Sequence, residues 1–491
     1  MVTRAEAEQE ALELAGFNKR DIILMTKFSP VPFAQELLKH TTVIYDNQKR
    51  FWRYDKETGL YTDDAEQFIR TELRKNLMGD EQQKRNYIEE VVSYLKDTEY
   101  KPDFVPNNDI YLIPTKNKIF DLRTGELLDF SPKYFITNKI DIEIDENIKE
   151  CPKIDKFFKD CVGEELKSIL YDLPAYTLIR DMPYQKVFFV FGPAGTGKSR
   201  YMEFLEIFLG KKNVCSVEPQ KVQKDIHSTS QMWLKLANIV SDINYDALDN
   251  INLLKKLSGG DTLTIRKMYR EGFEEKIFAK QIFSTNKLPA VAEKTKAWYR
   301  RVYPILFSNI IAQNERNPYI IKEITSPEEM KGFMWKVLQH LRMLYQNKFV
   351  FQVDINEDAI AKVYEELSNP ILMFINENCG NSRDGWVFKY EFEERLNNWL
   401  KANHFPIHTK GQINDYMRDF YLESNRDSFT GGKPYRVWVG LSWKEGGDDT
   451  TNQFNHFYQF LKEIYIVGNC FVDPSFSVKS VSNELNKPNN S

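Results

Sequence analysis

Residues 186–199 read KVFFVFGPAGTGKS, an apolar run that breaks directly into a turn with three glycines followed by Lys198 and Ser199. Consecutive apolar residues bury both faces of a strand, so the run predicts an interior strand of a parallel sheet. The glycines free the backbone to aim successive N–H groups into one concavity, and the helix expected next adds the positive end of its dipole. The spacing GxxxxGK[ST] in this strand–loop–helix context predicts a nucleoside triphosphate site. Gly192, Gly195, Thr196 and Gly197 form its cradle, Lys198 reaches the outer phosphates, and Ser199 holds Mg²⁺.

Hydrolysis also needs an acid at the end of a neighbouring strand. The stretch LANIVSD ends on Asp242, which completes the magnesium site in one reading and caps a helix in another; Asp246 and Asp249 follow closely and compete. A further buried run, QIFST, ends on Asn286, placed either to touch the outermost phosphate or to start the next turn. Arg300 and Arg301 precede the apolar VYPILF, either as a finger toward a neighbouring subunit's nucleotide or as a solvated pair.

A length of 491 residues exceeds what one core organises, so about three domains are expected. Residues 1–150 read as a mixed α+β collar without a catalytic constellation, 151–365 as the α/β motor, 366–475 as a winged-helix domain, and 476–491 as a disordered tail. In the first part, 41–61 alternates as a hairpin or meander, and 109–144 holds short strand-like runs including 134–144. With 67 Lys and Arg against 71 Asp and Glu, nucleic-acid binding must come from local patches. No run is apolar and long enough to span a membrane, and residues 1–16 lack the apolar centre of a secretory signal. The five scattered cysteines form neither a disulfide framework nor a CxxC pair, which fits a reducing cytoplasm.

Residues 262–269, a turn at 270–272 and a return at 276–283 predict a hairpin ahead of the strand ending at Asn286. Between residues 255 and 280, seven Lys and Arg stand against four Asp and Glu. Arg266, Lys267, Arg270 and Lys276 are the candidate DNA contacts there; a merely exposed hairpin is the alternative. In the third region, helices at 371–378, 389–402 and 410–422 and a strand at 435–443 follow winged-helix order. Lys410, Gln412, Asn414 and Arg418 suit base edges and phosphates, and Lys433 and Arg436 suit the wing. Ten basic and nine acidic residues between 381 and 445 give no net push toward DNA, and a protein-contact role is the alternative.

In this order, GPAGTGKS, LANIVSD, KKLSGGDTLTIRKMY (255–269), IFSTNKLP and RRVYPILF resemble the superfamily 3 helicases. Within these the chain resembles the phage, plasmid and poxvirus-type primase-helicase group and the replication initiator helicases of staphylococcal pathogenicity islands and related phages. Upstream, IFDLRTGEL from residue 119 and Cys151-Pro152 resemble the domain preceding the ATPase; the likeness covers about 45 to 310. The resemblance implies an AAA+-like ATPase core, a hexameric ring with ATP and Mg²⁺ between subunits, and a hairpin gripping DNA in the channel. It makes Lys198 and Ser199 the Walker A pair, Asp242 the Walker B acid, Asn286 the sensor, and Arg301 the finger, with Arg300 as alternate. Many members carry two successive acids at Walker B, whereas Ile243 and Asn244 follow Asp242 here, which leaves the water-activating acid unassigned. The start of the chain leaves no room for a fused primase domain, so priming is not expected.

The expected function is that of a replication initiator helicase melting and unwinding origin DNA, with host replication proteins as further partners. An ATP-controlled initiator that remodels the origin without processive unwinding is the nearest alternative. A P-loop phosphotransferase and a scaffold with a vestigial nucleotide site are the rivals from other classes.

Overall fold

The computed structural model describes residues 28–444 apart from 80–81, 225–226, 244–247, 249–250, 267–271, 287, 290, 292–294, 354–357, 359, 362–368, 403–404, 406 and 427–434. It opens with α1 (Pro30–His40) and an antiparallel meander of β1 (Thr42–Tyr45), β2 (Phe51–Asp55) and β3 (Leu60–Thr62). Helices α2 (Ala65–Glu72) and α3 (Arg85–Thr98) complete a small core with α1, in which Phe33, Val43, Ile69 and Val91 are buried. A second meander follows, of β4 (Leu112–Pro114), β5 (Ile119–Asp121) and β6 (Leu127–Leu128). The strand expected at 134–144 does not form. Its backbone bonds scatter over separate partners, Ile136 O accepting from Tyr61 N at 2.6 Å and Ile140 N donating to Pro114 O at 3.0 Å, so no ladder builds up.

Helices α4 (Pro152–Val162) and α5 (Ile169–Thr177) lead into β7 (Val187–Phe191), buried at all five positions, and α6 (Lys198–Leu209). Next come β8 (Val214–Cys215), α7 (Pro219–Lys224), α8 (Ser228–Met232), β9 (Ala237–Val240) and α9 (Asn252–Gly259). A hairpin of β10 (Thr262–Ile265) and β11 (Phe273–Lys276) precedes β12 (Lys280–Thr285), α10 (Lys296–Tyr299), β13 (Val302–Leu306), α11 (Ile320–Ile324) and α12 (Pro327–Gln346). Five strands form one parallel sheet in the order β13-β7-β12-β9-β8. Pro304 is accommodated because β13 lies at the edge, where its missing N–H breaks no ladder on the outer side.

The hairpin is confirmed with a shifted return strand: β11 covers 273–276, whereas 280–285 belongs to the parallel sheet. Lys280, counted above with the hairpin's basic residues, is fully buried. Its ammonium donates to the carbonyls of Ile179, Asp181 and Phe278.

One hydrophobic core runs through residues 44–360, joining Trp52, Phe104 and Ile113 to the parallel sheet without a break at 150. Two buried arginines fasten this junction. Arg180 donates to Leu112 O at 2.7 Å and to Asn138 Oδ1 at 2.9 Å. Arg50 pairs with Asp46 at 2.6 Å and with Glu275 of β11, and its guanidinium lies over the rings of Trp52, Trp233 and Phe273.

The C-terminal region has its own core around Phe374, Leu396, Ile413 and Trp438. Its elements are α13 (Pro370–Asn378), β14 (Cys379–Phe388), α14 (Lys389–Ala402), α15 (Lys410–Phe420), β15 (Leu422–Arg426) and β16 (Tyr435–Trp443). The sheet order is β14-β16-β15, antiparallel. Strand β14 was not expected. Its polar middle reads as a loop, and the register breaks between Asn381 and Trp386, which leaves no clean alternation to read.

Candidate functional site

The carboxyl ends of β7, β12 and β9 lie side by side because β12 sits between the other two. Open parallel sheets offer a crevice at that edge. A cleft of about 720 Å³ occupies it, lined by Gly195, Gly197, Lys198, Ser199, Asp242 and Asn286, with α4 and residues 311–323 as its walls. The residues expected to act together from three separate stretches are therefore gathered in one place.

The loop 192–197 is shaped by its glycines. Gly192, Gly195 and Gly197 have φ of 144°, 83° and 91°, a region that L side chains rarely adopt. A Cβ at Gly192 would stand 2.1 Å from Phe307 O, and one at Gly197 would stand 2.5 Å from Cys161 Sγ. Thr196 is buried and its hydroxyl donates to Pro193 O at 3.0 Å. Helix α4 supplies Cys161 and is itself fixed from behind. Buried Glu329 of α12 accepts from the backbone N–H groups of Lys153 and Ile154 at 3.1 and 3.2 Å, filling the role of an N-cap.

Lys198 is 7% exposed, and its ammonium donates to Gly192 O and Pro193 O, both at 2.7 Å. Burial pushes its pKa down from 10.5 to about 8, while the charge of Asp242 opposes the shift. Ser199 is exposed in the first turn of α6. Asp242 follows β9 with φ of 61° and is exposed, and the adjacent Ile243 N–H donates to Ser284 O at 2.9 Å, tying this turn to β12. Asn286 is half-buried just past β12. The pocket thus presents a cation, a carboxylate, a hydroxyl and an amide to one volume. A Cβ at Gly192 or Gly197 would collide with the chain packed against the loop, so only glycines let the backbone take this path, which suits a phosphate chain.

Arg300 and Arg301 lie between α10 and β13 and do not line this cleft. Arg300 is exposed; Arg301 is half-buried, its guanidinium donating to Ala297 O at 2.8 Å. Arg316, which sequence reasoning missed, does line it.

Elsewhere, Arg266 and Lys276 are exposed on the hairpin, whereas Lys267 and Arg270 lie outside the described residues, as do Asp246, Asp249 and Lys433. On α15, Lys410 pairs with Glu393 at 3.3 Å, and Arg418 with Asp415 at 3.5 Å and Glu423 at 3.4 Å; Arg436 of β16 meets Glu423 at 3.8 Å. Gln412, assigned above to base edges, closes a capping box with Thr409. Asn414 Oδ1 accepts from Lys389 Nζ at 3.2 Å.

Two family models match parts of the chain. "D5 N terminal like" matches residues 33–163, and "Family of unknown function (DUF5906)" matches 190–301, from two residues before Gly192 to Arg301. "Putative helicase L207/L206" of Acanthamoeba polyphaga mimivirus is 25% identical over 346 residues, covering 64% of this chain and 36% of that protein. The chain thus spans about a third of that relative's length. "Uncharacterized mitochondrial protein ymf21" of Marchantia polymorpha is 27% identical over 117 residues, 21% of this chain and 65% of that one. Among solved structures, "The A form apo structure of NrS-1 C terminal region-CTR" is 12% identical with a TM-score of 0.42, over 84% of this chain and 100% of that one. The D5-type match and the mimiviral relative support a relation to phage and viral primase-helicases. Among the described residues no helix is long and apolar enough to cross a membrane.

Proposed function

We propose that this protein is an ATP-dependent DNA helicase that initiates replication of a phage or mobile element, working as a hexameric ring. The observation that carries this reading is the convergence of Lys198, Asp242 and Asn286 on one cleft at the ends of three adjacent parallel strands. Bound Mg²⁺-ATP supplies the phosphoanhydride bond to be broken. With it bound, Lys198 would neutralise the outer phosphates, Ser199 and Asp242 would hold the metal, and Asn286 would orient the attacking water. Arg301, with Arg300 as alternate, lies outside the chain's own cleft, which suits a finger reaching the nucleotide of a neighbouring subunit. The hairpin's Arg266 and Lys276 face solvent and suit a DNA backbone.

The C-terminal order of helix, strand, two helices and two strands supports a winged-helix reading, with α15 as the helix offered to duplex DNA. Lys198→Ala is expected to lose ATP binding and turnover, and Asp242→Asn to bind ATP without hydrolysing it. The checks are titration with a fluorescent ATP analogue and phosphate release. Undiminished hydrolysis by Lys198→Ala defeats the assignment. A strand-displacement assay separates unwinding from origin remodelling.

A further inference from the structure

Past β13 the chain runs back across the phosphate loop. Ile311 N–H donates to Gly195 O at 3.0 Å, and Arg316 Nε–H donates to Ile311 O at 3.1 Å. These two bonds lay the guanidinium directly on the middle of the loop, where a Cβ built on Gly195 would stand 2.6 Å from Arg316 Nη2. Arg316 lines the same cleft as Lys198, Asp242 and Asn286. Glu315 and Glu323 line that cleft too, yet among the described residues no carboxylate lies within ion-pair distance of Arg316.

An exposed arginine ordinarily pairs with an acid or extends into water. This one spends a single N–H on a backbone carbonyl and keeps Nη2 beside Gly195 of the cradle. Its donors are held beside the loop before any ligand arrives, which lowers the ordering cost of binding an oxyanion.

We propose that Arg316 is a further phosphate-binding residue of this site, supplied by the same chain as the loop, and that it recognises the phosphate chain of the bound nucleoside triphosphate. The inference rests on the reading of the cleft as a triphosphate site. It differs from the role given to Arg301, because Arg316 reaches the cleft of its own subunit.

The test uses the full chain and titrates a fluorescent ATP analogue, with ATP and inorganic tripolyphosphate as competitors. Arg316→Gln keeps a donor near Ile311 O and removes the charge; it should weaken ATP and tripolyphosphate alike by about tenfold, the scale of one charge-assisted contact. Arg316→Lys should recover most of that loss, with unchanged thermal midpoints in both variants. Wild-type affinity in Arg316→Gln, or a loss for ATP with none for tripolyphosphate, overturns the proposal. If Lys198→Ala also binds ATP normally, the reading of the cleft falls with it; if Lys198→Ala loses binding while Arg316→Gln does not, the Arg316 assignment alone falls. At ATP concentrations well below saturation, mixing Arg316→Gln with Lys198→Ala subunits should give no more hydrolysis than Arg316→Gln alone, since neither chain then owns both groups. Recovery on mixing refutes the same-chain placement.

Discussion

In the cleft, Lys198 and Arg316 rest on backbone carbonyls, and among the described residues neither has a carboxylate at ion-pair distance. In the C-terminal region the described cations assigned to DNA are each answered by an acid of their own fold: Lys410 by Glu393, and Arg418 and Arg436 by Glu423. A cation without a carboxylate meets an incoming phosphate at full strength, whereas a paired one must first give up its partner. Affinity for anions is therefore expected to concentrate in the cleft, and any duplex binding by the C-terminal region to be shallow in salt dependence.

On the proposed ring reading, the largest expected effect comes from Arg301, which lies outside its own chain's cleft. Arg301→Ala should bind ATP yet lose about 10³- to 10⁵-fold in turnover, as arginine fingers do in other phosphoryl-transfer systems. Mixing it with Lys198→Ala subunits should restore part of the activity; a dead Arg300→Ala beside a normal Arg301→Ala reverses the assignment. Next is a cation fully enclosed by partners. Arg50→Ala should cost about 3–5 kcal/mol by leaving Asp46 and Glu275 without their shared countercharge, read by chemical denaturation. A loss below about 1 kcal/mol would mean that partners at the surface and in the interior count alike.

The pH dependence sharpens the contrast further. Because Lys198 titrates near pH 8 in the folded chain, ATP affinity should fall as pH rises from 7 to 9, as the ammonium that meets the phosphates is lost. Stability moves the other way: between about pH 8 and 10.5 the unfolded chain holds more protons on this lysine, so its contribution rises with pH. Buried Lys280, pushed down to about 7, adds the same sign from a lower pH. Flat affinity across pH 7 to 9 would show that Lys198 stays charged. The smallest effect is expected from Glu423→Gln, which frees Arg436 and leaves Arg418 with Asp415 alone. Duplex affinity should rise a few-fold, with a salt slope steeper by about one. No change would indicate that α15 serves protein contacts.

The local part of this arrangement was legible in the sequence. The strand at 187–191, the cradle and the strand ends at Asp242 and Asn286 each follow from a short apolar run meeting a polar residue, and neighbouring strands bring such ends together. Arg316 was not legible, because it reaches Gly195 through the fold of a connection whose own spacing carries no pattern. Lys280 misled for a related reason: a lysine beside a basic hairpin looks solvated until three carbonyls are seen around it. On α15, the residue types suited base edges, but nothing in their order revealed that Gln412 would be taken by the capping box.

The undivided core between residues 44 and 360 bears on how such a gene can be shuffled. A crossover near codon 150 would join halves of different ancestry across Trp52, Phe104 and the carbonyls held by Arg180, and each half would inherit the wrong complement. Among the described residues, a crossover near codon 366 divides no hydrophobic core, since the C-terminal core closes on itself. Exchange between related genes should therefore trade the C-terminal region as a cassette and pass residues 44–360 on together.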